Sequence, residues 1–343
     1  MNKTAYSTRN RQLAISFFIS SVFSCSISRS AQEYARVARP DHAIIFGKHD
    51  GIRESGVLGF WLMKTSRRLF YYLIFFAAIA ATWLGACNTR GGWKLIWSDE
   101  FNGPSIDTNH WVFETGNNNG WGNNELEYYT DRPGNAYVSN GVLHIVARRD
   151  GTNGPAYTSA RIKSEGLFAH QYGRFEFRAR FPCGKGYWPA LWLMPEDSAY
   201  GGWPSCGEID VTENKGDYPA VVQGTIHYAA PNGDHRQSTD YYTFVPGKNA
   251  ADFHTYALEW TTNSISWYVD NHLYEMQTNW STSSAPYPAP FNQPFYIIMN
   301  LAIGGVYDGD PDTNTIFPGE MQVDYVRVYD KTDSTDVINA SLP

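Results

Sequence analysis

Gly173-Arg-Phe-Glu-Phe-Arg-Ala-Arg-Phe181 sets Phe175, Phe177, Ala179 and Phe181 against Arg174, Glu176, Arg178 and Arg180, one residue class at every second position. Successive side chains of a strand point to opposite faces, so this alternation predicts a half-buried β-strand. Just downstream, residues 188–194 read WPALWLM, apolar in both phases. That suits a central strand with core on one side and a cleft on the other. Further strand-like runs are 142–149, 221–228, 254–260, 264–270, 295–303 and 321–329, separated by segments rich in Gly, Asn, Pro and Asp. No long stretch carries helical periodicity. Many short strands at this spacing predict one all-β domain over residues 91–330, a sandwich or barrel.

The 343 residues exceed what one ordinary domain needs, although all-β domains often run to ~200–250 residues. Aromatic residues make 16% of the chain and charged residues 18%. Aromatics favour strands, and flat indole and phenol rings also pack on the apolar faces of pyranoses. A net charge of −7 argues against nucleic acid as a partner, which needs clustered Lys and Arg. The chain has no phosphate-cradling glycine loop and no Cys/His run with zinc spacing. Four cysteines, Cys25, Cys87, Cys183 and Cys206, are too few for a disulfide scaffold. Whether Cys183 and Cys206 pair is open from sequence.

Composition shifts near residue 90. Leu69 to Ala86 carries no charge, and Lys64, Arg67 and Arg68 stand just before it. This is either a membrane anchor or the apolar core of an export signal beginning at Met63. The ending Leu84-Gly85-Ala86-Cys87 resembles the bacterial lipoprotein box, which implies lipidation of Cys87. Residues 63–87 are therefore expected to export the chain and leave it lipid-anchored to a bacterial membrane, or extracellular. Residues 1–62 receive no function, and a start at Met63 would leave them untranslated. Residues 331–343 form a C-terminal tail.

The chemistry is expected on Cys206-Gly-Glu-Ile-Asp-Val-Thr-Glu213. Glu208 and Asp210 share a strand face, whereas strict alternation would turn Glu213 away from them. A β-bulge at Val211-Thr212 would return it. Three neighbouring carboxylates repel, which raises at least one pKa and lets a protonated acid stand beside an ionised group. Glycoside hydrolysis needs that division. A merely acidic or cation-binding strand is the plain alternative.

Around this strand lie Trp188-Pro-Ala-Leu-Trp192, Gly202-Trp-Pro204 and Thr225-Ile-His-Tyr228. Further out lie Trp97-Ser-Asp-Glu-Phe101, Trp121-Gly-Asn-Asn-Glu125, Tyr157-Thr-Ser-Ala-Arg161 and Val323-Asp-Tyr-Val-Arg-Val-Tyr329. Together they resemble glycoside hydrolase family 16, in particular its laminarinase branch, across residues 93–330. The resemblance implies a jelly-roll (concanavalin-like) sandwich of two antiparallel sheets, with an open cleft for a linear polysaccharide on the concave face. It implies Glu208 as nucleophile, Glu213 as general acid and base, and Asp210 tuning both. Retention follows if the two glutamate carboxyls lie about 5–5.5 Å apart. Asn124, Arg161, Trp188, Trp192, Trp203 and His227 match sugar-contacting positions. Glu100, the Gly141 carbonyl and Asp324 match a structural calcium site with the oxygen donors calcium prefers. Catalysis needs no cofactor, and a monomer is expected.

The resemblance implies endo-hydrolysis of β-1,3-glucan (laminarin-like) or mixed β-1,3/1,4-glucan. The spacing between Asp210 and Glu213 leans away from lichenases, which resemble a shorter Glu-x-Asp-x-Glu. Action on agar, carrageenan or lichenan, transglycosylation, and non-catalytic glucan binding are the alternatives.

Overall fold

A computed structural model describes residues 89–90, 92–150 and 155–332. The readings placed on residues 1–62, on the apolar run with Cys87 (63–87) and on 333–343 lie outside the described residues. Among the described residues no helix forms, and so none long and apolar enough to cross a membrane.

The strands gather into two large sheets. One has eight strands, in the main order His235–Thr243, Val221–Ala229, Glu208–Asn214, Tyr187–Pro195, Phe295–Ile303, Arg161–Lys163 and Val112–Glu114, with Ala169–His170 also on Phe295–Ile303. The other has nine, in the main order Thr89–Arg90, Trp93–Asp99, Gly319–Lys331, Gly173–Arg180, His254–Trp260, Ile265–Val269 and His272–Gln277. Val142–Ala147 extends it from Gly319–Lys331 and carries Ala136–Ser139. Pairing within both sheets is antiparallel; a separate small parallel pair joins Glu127–Tyr129 to Tyr157–Ser159. The all-β expectation holds.

Period-2 patterning decides what lies between the sheets. Phe175, Phe177, Ala179 and Phe181 enter the core from the nine-stranded sheet. Leu191, Leu193, Ile209, Ile226, Met299 and Leu301 meet them from the eight-stranded one. Each such large side chain contributes about 1.5–3 kcal/mol by leaving water. The alternate residues Trp188, Trp192, Glu208, Asp210 and Asn300 are left on the outer face of the eight-stranded sheet, which is the face that carries the chemistry.

One expectation needs correction. The charged face of Gly173–Arg180 is not wholly solvated: Arg174 and Glu176 are buried. Arg174 donates to Glu176 and Glu259, and the Tyr325 hydroxyl donates to Glu176. Alternation reveals which residues share a face, but a charged face can be covered when its charges pair.

Candidate active site

The bulge forms where the spacing required it. Asp210 lies opposite Thr225 and Glu213 opposite Gln223, so Val211 and Thr212 together face the single residue Gly224. Ile209, Val211 and Thr212 are buried, and Glu208, Asp210 and Glu213 share the outer face. Trp267, from the opposite sheet, fixes the kink in two ways. The indole N–H of Trp267 donates to the Asp210 carbonyl at 2.8 Å. A Cβ on Gly224 would stand 2.4 Å from the Trp267 ring, so only glycine lets that indole reach beneath the bulge.

Each acid has its own partners. The Trp203 indole donates to Glu208 Oε2 at 2.6 Å. Trp188 donates to Glu213 Oε1 at 2.8 Å, and the Gln223 amide to Glu213 Oε2 at 3.1 Å. His227 Nε2 stands 3.2 Å from Asp210 Oδ2, an oxygen with no aligned hydrogen bond. His227 is held from behind by His235, 2.8 Å from its Nδ1.

Burial raises all three carboxyls. It pushes Glu208 up to about 8, with the Asp210 charge adding and His227 and the Trp203 N–H opposing. Asp210 goes well above the usual aspartate range, by burial and then by the Glu213 charge. Glu213 is raised by burial against the pull of Trp188. Three acids this close share their protons rather than titrate singly. The shifts let one carboxyl of this strand keep a proton beside an ionised neighbour.

The other expected contacts divide. Trp203 is 52% exposed and Trp188 half-buried, its ring stacked on Tyr307 at 4.7 Å. Trp192 is not an open face: the Arg161 guanidinium lies 4.7 Å from its ring centroid and 4.8 Å from that of Trp121. Arg161 also donates to Glu114, and Trp192 donates to Asn300. Asn124 sits exposed in a tight turn at φ 59°, beside the buried Glu125. Sequence reasoning missed His235, Gln223, Tyr307 and Asn300, which hold or flank the expected residues. None stands in a motif with a chemical reading of its own.

The residues matched to calcium are engaged otherwise. Arg327 grips both oxygens of Glu100 at 2.8 and 2.7 Å, and Arg178 holds Asp324 at 2.5 Å. An ion there would have to displace two guanidiniums, so the donor set as placed does not fit calcium. Cys183 and Cys206 are both free, the first exposed and the second buried.

Residues 113–327 match Glycosyl hydrolases family 16. The chain is 45% identical to "Glucan endo-1,3-beta-glucosidase A1" of Niallia circulans over 69% of this chain and 38% of that protein. It is 45% identical to "Beta-glucanase" of Rhodothermus marinus over 69% of this chain and 85% of that protein. The solved laminarinase of Rhodothermus marinus superposes with a TM-score of 0.63 at 44% identity, covering 70% of this chain and 98% of the other. The laminarinase catalytic domain of Thermotoga maritima gives 0.63 at 40% identity, covering 70% and 99%. With its acidic strand bulged between Asp210 and Glu213, the chain belongs to glycoside hydrolase family 16.

Proposed function

We propose that this chain cleaves β-1,3-glucan, laminarin-like or mixed β-1,3/1,4, at internal bonds and with retention of configuration. One observation carries the reading: the bulge places Glu208 and Glu213 on one face while giving them separate indole donors, Trp203 and Trp188. Separate donors let the two acids take different protonation states. The Glu208 carboxylate attacks the anomeric carbon as the bond to the leaving oxygen breaks, and Glu213 gives that oxygen its proton. Glu213 then takes a proton from water, whose oxygen attacks the same carbon and frees Glu208. Arg161, held between Trp121 and Trp192, and the open Trp203 face supply contacts to neighbouring sugars.

The relatives named for β-1,3-glucan cleavage support the choice of backbone. The test is product analysis with laminarin, lichenan, agarose and a sulfated galactan. Laminarin should be cut to oligosaccharides, and Glu208→Gln and Glu213→Gln should each abolish cutting in a folded protein. Intact laminarin, or a fully active variant, would sink the reading.

Calcium is no part of it, since Arg327 and Arg178 take the carboxylates that would hold the ion. Export through the apolar run, with Cys87 as the lipidated first residue, belongs to the same proposal. An N-terminal mass on the mature protein checks it; an unmodified Cys87 inside a longer chain would overturn it.

A further inference from the structure

Beneath the bulge lies a carboxyl that takes no part in the steps above. Glu275 is 4% exposed and stands opposite Trp267 in register, so the two side chains share the inner face of their sheet. Trp267 is the indole that passes Gly224 and donates to the Asp210 carbonyl at 2.8 Å. The Gln277 amide donates to Glu275 Oε1 at 2.9 Å, whereas Oε2 is buried with no hydrogen-bond partner. Glu275 belongs to His272–Gln277, the last strand of the nine-stranded sheet, and this strand meets His235–Thr243, the last of the eight-stranded one. Asp240 of that second strand lies opposite Gly224, the residue that faces the bulge. The carboxyl therefore sits where the edges of both sheets close behind the catalytic strand.

The ionisable groups facing it are Asp240 from His235–Thr243, Asp210 from the acidic strand and Tyr274 from its own strand. None of these is a cation, so a carboxylate in this place costs stability. Burial pushes Glu275 up to about 7 against the Gln277 amide and the Asp240 backbone, with the Asp240 charge adding. Once ionised, Glu275 in turn raises Asp210. Its field thus acts on the protons shared by Glu208, Asp210 and Glu213 from the core side of the sheet, opposite the cleft.

We propose that Glu275 is a positioning residue for the reaction, acting on the catalytic carboxyls from the core through its charge on Asp210 and through Trp267, which fixes the bulge. The proposal rests on the glucanase reading above and adds to its three acids a fourth that never meets the sugar.

Glu275→Gln keeps the size and loses the charge, and Glu275→Asp keeps the charge. The assay is the pH profile of kcat/KM on a soluble β-1,3-oligosaccharide, with a melting curve for each variant. Packed sheets stand about 10 Å apart, and a unit charge at that distance and an effective dielectric of about 20 moves a pKa by about one unit. The alkaline limb, set by the acid that must keep its proton, should therefore fall by about one pH unit in Glu275→Gln and by far less in Glu275→Asp. A uniform loss at every pH with the limb unmoved would mean that Glu275 merely fills its place, and would overturn the proposal. A profile identical to wild type would overturn it too, as would a Glu275→Gln protein that fails to fold. A wild-type protein that leaves the oligosaccharide uncut would instead refute the glucanase reading.

Discussion

Replacing Trp203 by Phe should move the acidic limb of the pH–rate profile upward. The indole N–H at 2.6 Å from Glu208 Oε2 favours the ionised form of that carboxyl. A hydrogen bond to a charged group contributes about 1.5–3 kcal/mol. Trp203 is 52% exposed, so water screens the bond and the low end applies. About 1.4 kcal/mol corresponds to about one pKa unit. Losing the donor raises the Glu208 pKa, so a higher pH is needed to ionise the nucleophile. The acidic limb of kcat/KM, which reports the free enzyme, should rise by about one pH unit.

Trp188→Phe is the matched control. It removes the 2.8 Å donor to Glu213 Oε1, so Glu213 keeps its proton to higher pH and the alkaline limb should rise instead. The profiles are measured with a soluble β-1,3-oligosaccharide below KM. An unmoved acidic limb in Trp203→Phe, or the two variants moving each other's limb, would refute the division of roles between Glu208 and Glu213.

Glu127 is wholly buried and its pKa stands well above the ordinary 4.5, by burial first and then by the Glu125 charge. A raised folded pKa gives stability that is full below 4.5 and lost as pH rises through the folded value. Glu127→Gln should therefore melt higher than wild type by about 2–4 °C at pH 8, the size of a 1 kcal/mol effect, with the gap closing near pH 4. A pH-independent gap would count against a neutral Glu127. His235 is exposed but holds His227 Nδ1 at 2.8 Å. His235→Ala should lower kcat about tenfold at unchanged melting temperature, as loss of a ~1.4 kcal/mol positioning bond would, with partial rescue by His235→Gln. Arg161→Lys forfeits the planar cation held between Trp121 and Trp192, each such contact contributing about 0.5–2 kcal/mol. It should raise KM several-fold and lower the melting temperature. An unchanged KM would separate Arg161 from substrate binding.

What could be read from sequence followed from period and spacing. The strand at Gly173–Arg180 and the fully buried Phe295–Ile303 announce themselves by apolar residues at every second or every position. The bulge was legible because three carboxylates on one strand make chemical sense only on one face, and the gap from Asp210 to Glu213 has the wrong parity for that. The covering of Arg174 and Glu176 was not legible, since their partners Glu259 and Tyr325 come from strands distant in sequence. Trp192 read as an open sugar face for the same reason: the guanidinium above it arrives from Arg161–Lys163, across Phe295–Ile303.

His235–Thr243 was missed altogether. Its sequence, HRQSTDYYT, buries no residue fully and so has no hydrophobic period, yet it brings His235 to His227 and sets Tyr241 opposite Gln223, the amide donor to Glu213. A core strand is written in its own residues because its burial is paid within the strand. An edge strand that lends only polar and aromatic faces to a cleft is specified by its partner's ladder, here Val221–Ala229. The part of the site carried by this edge strand is thus the part least visible in one sequence.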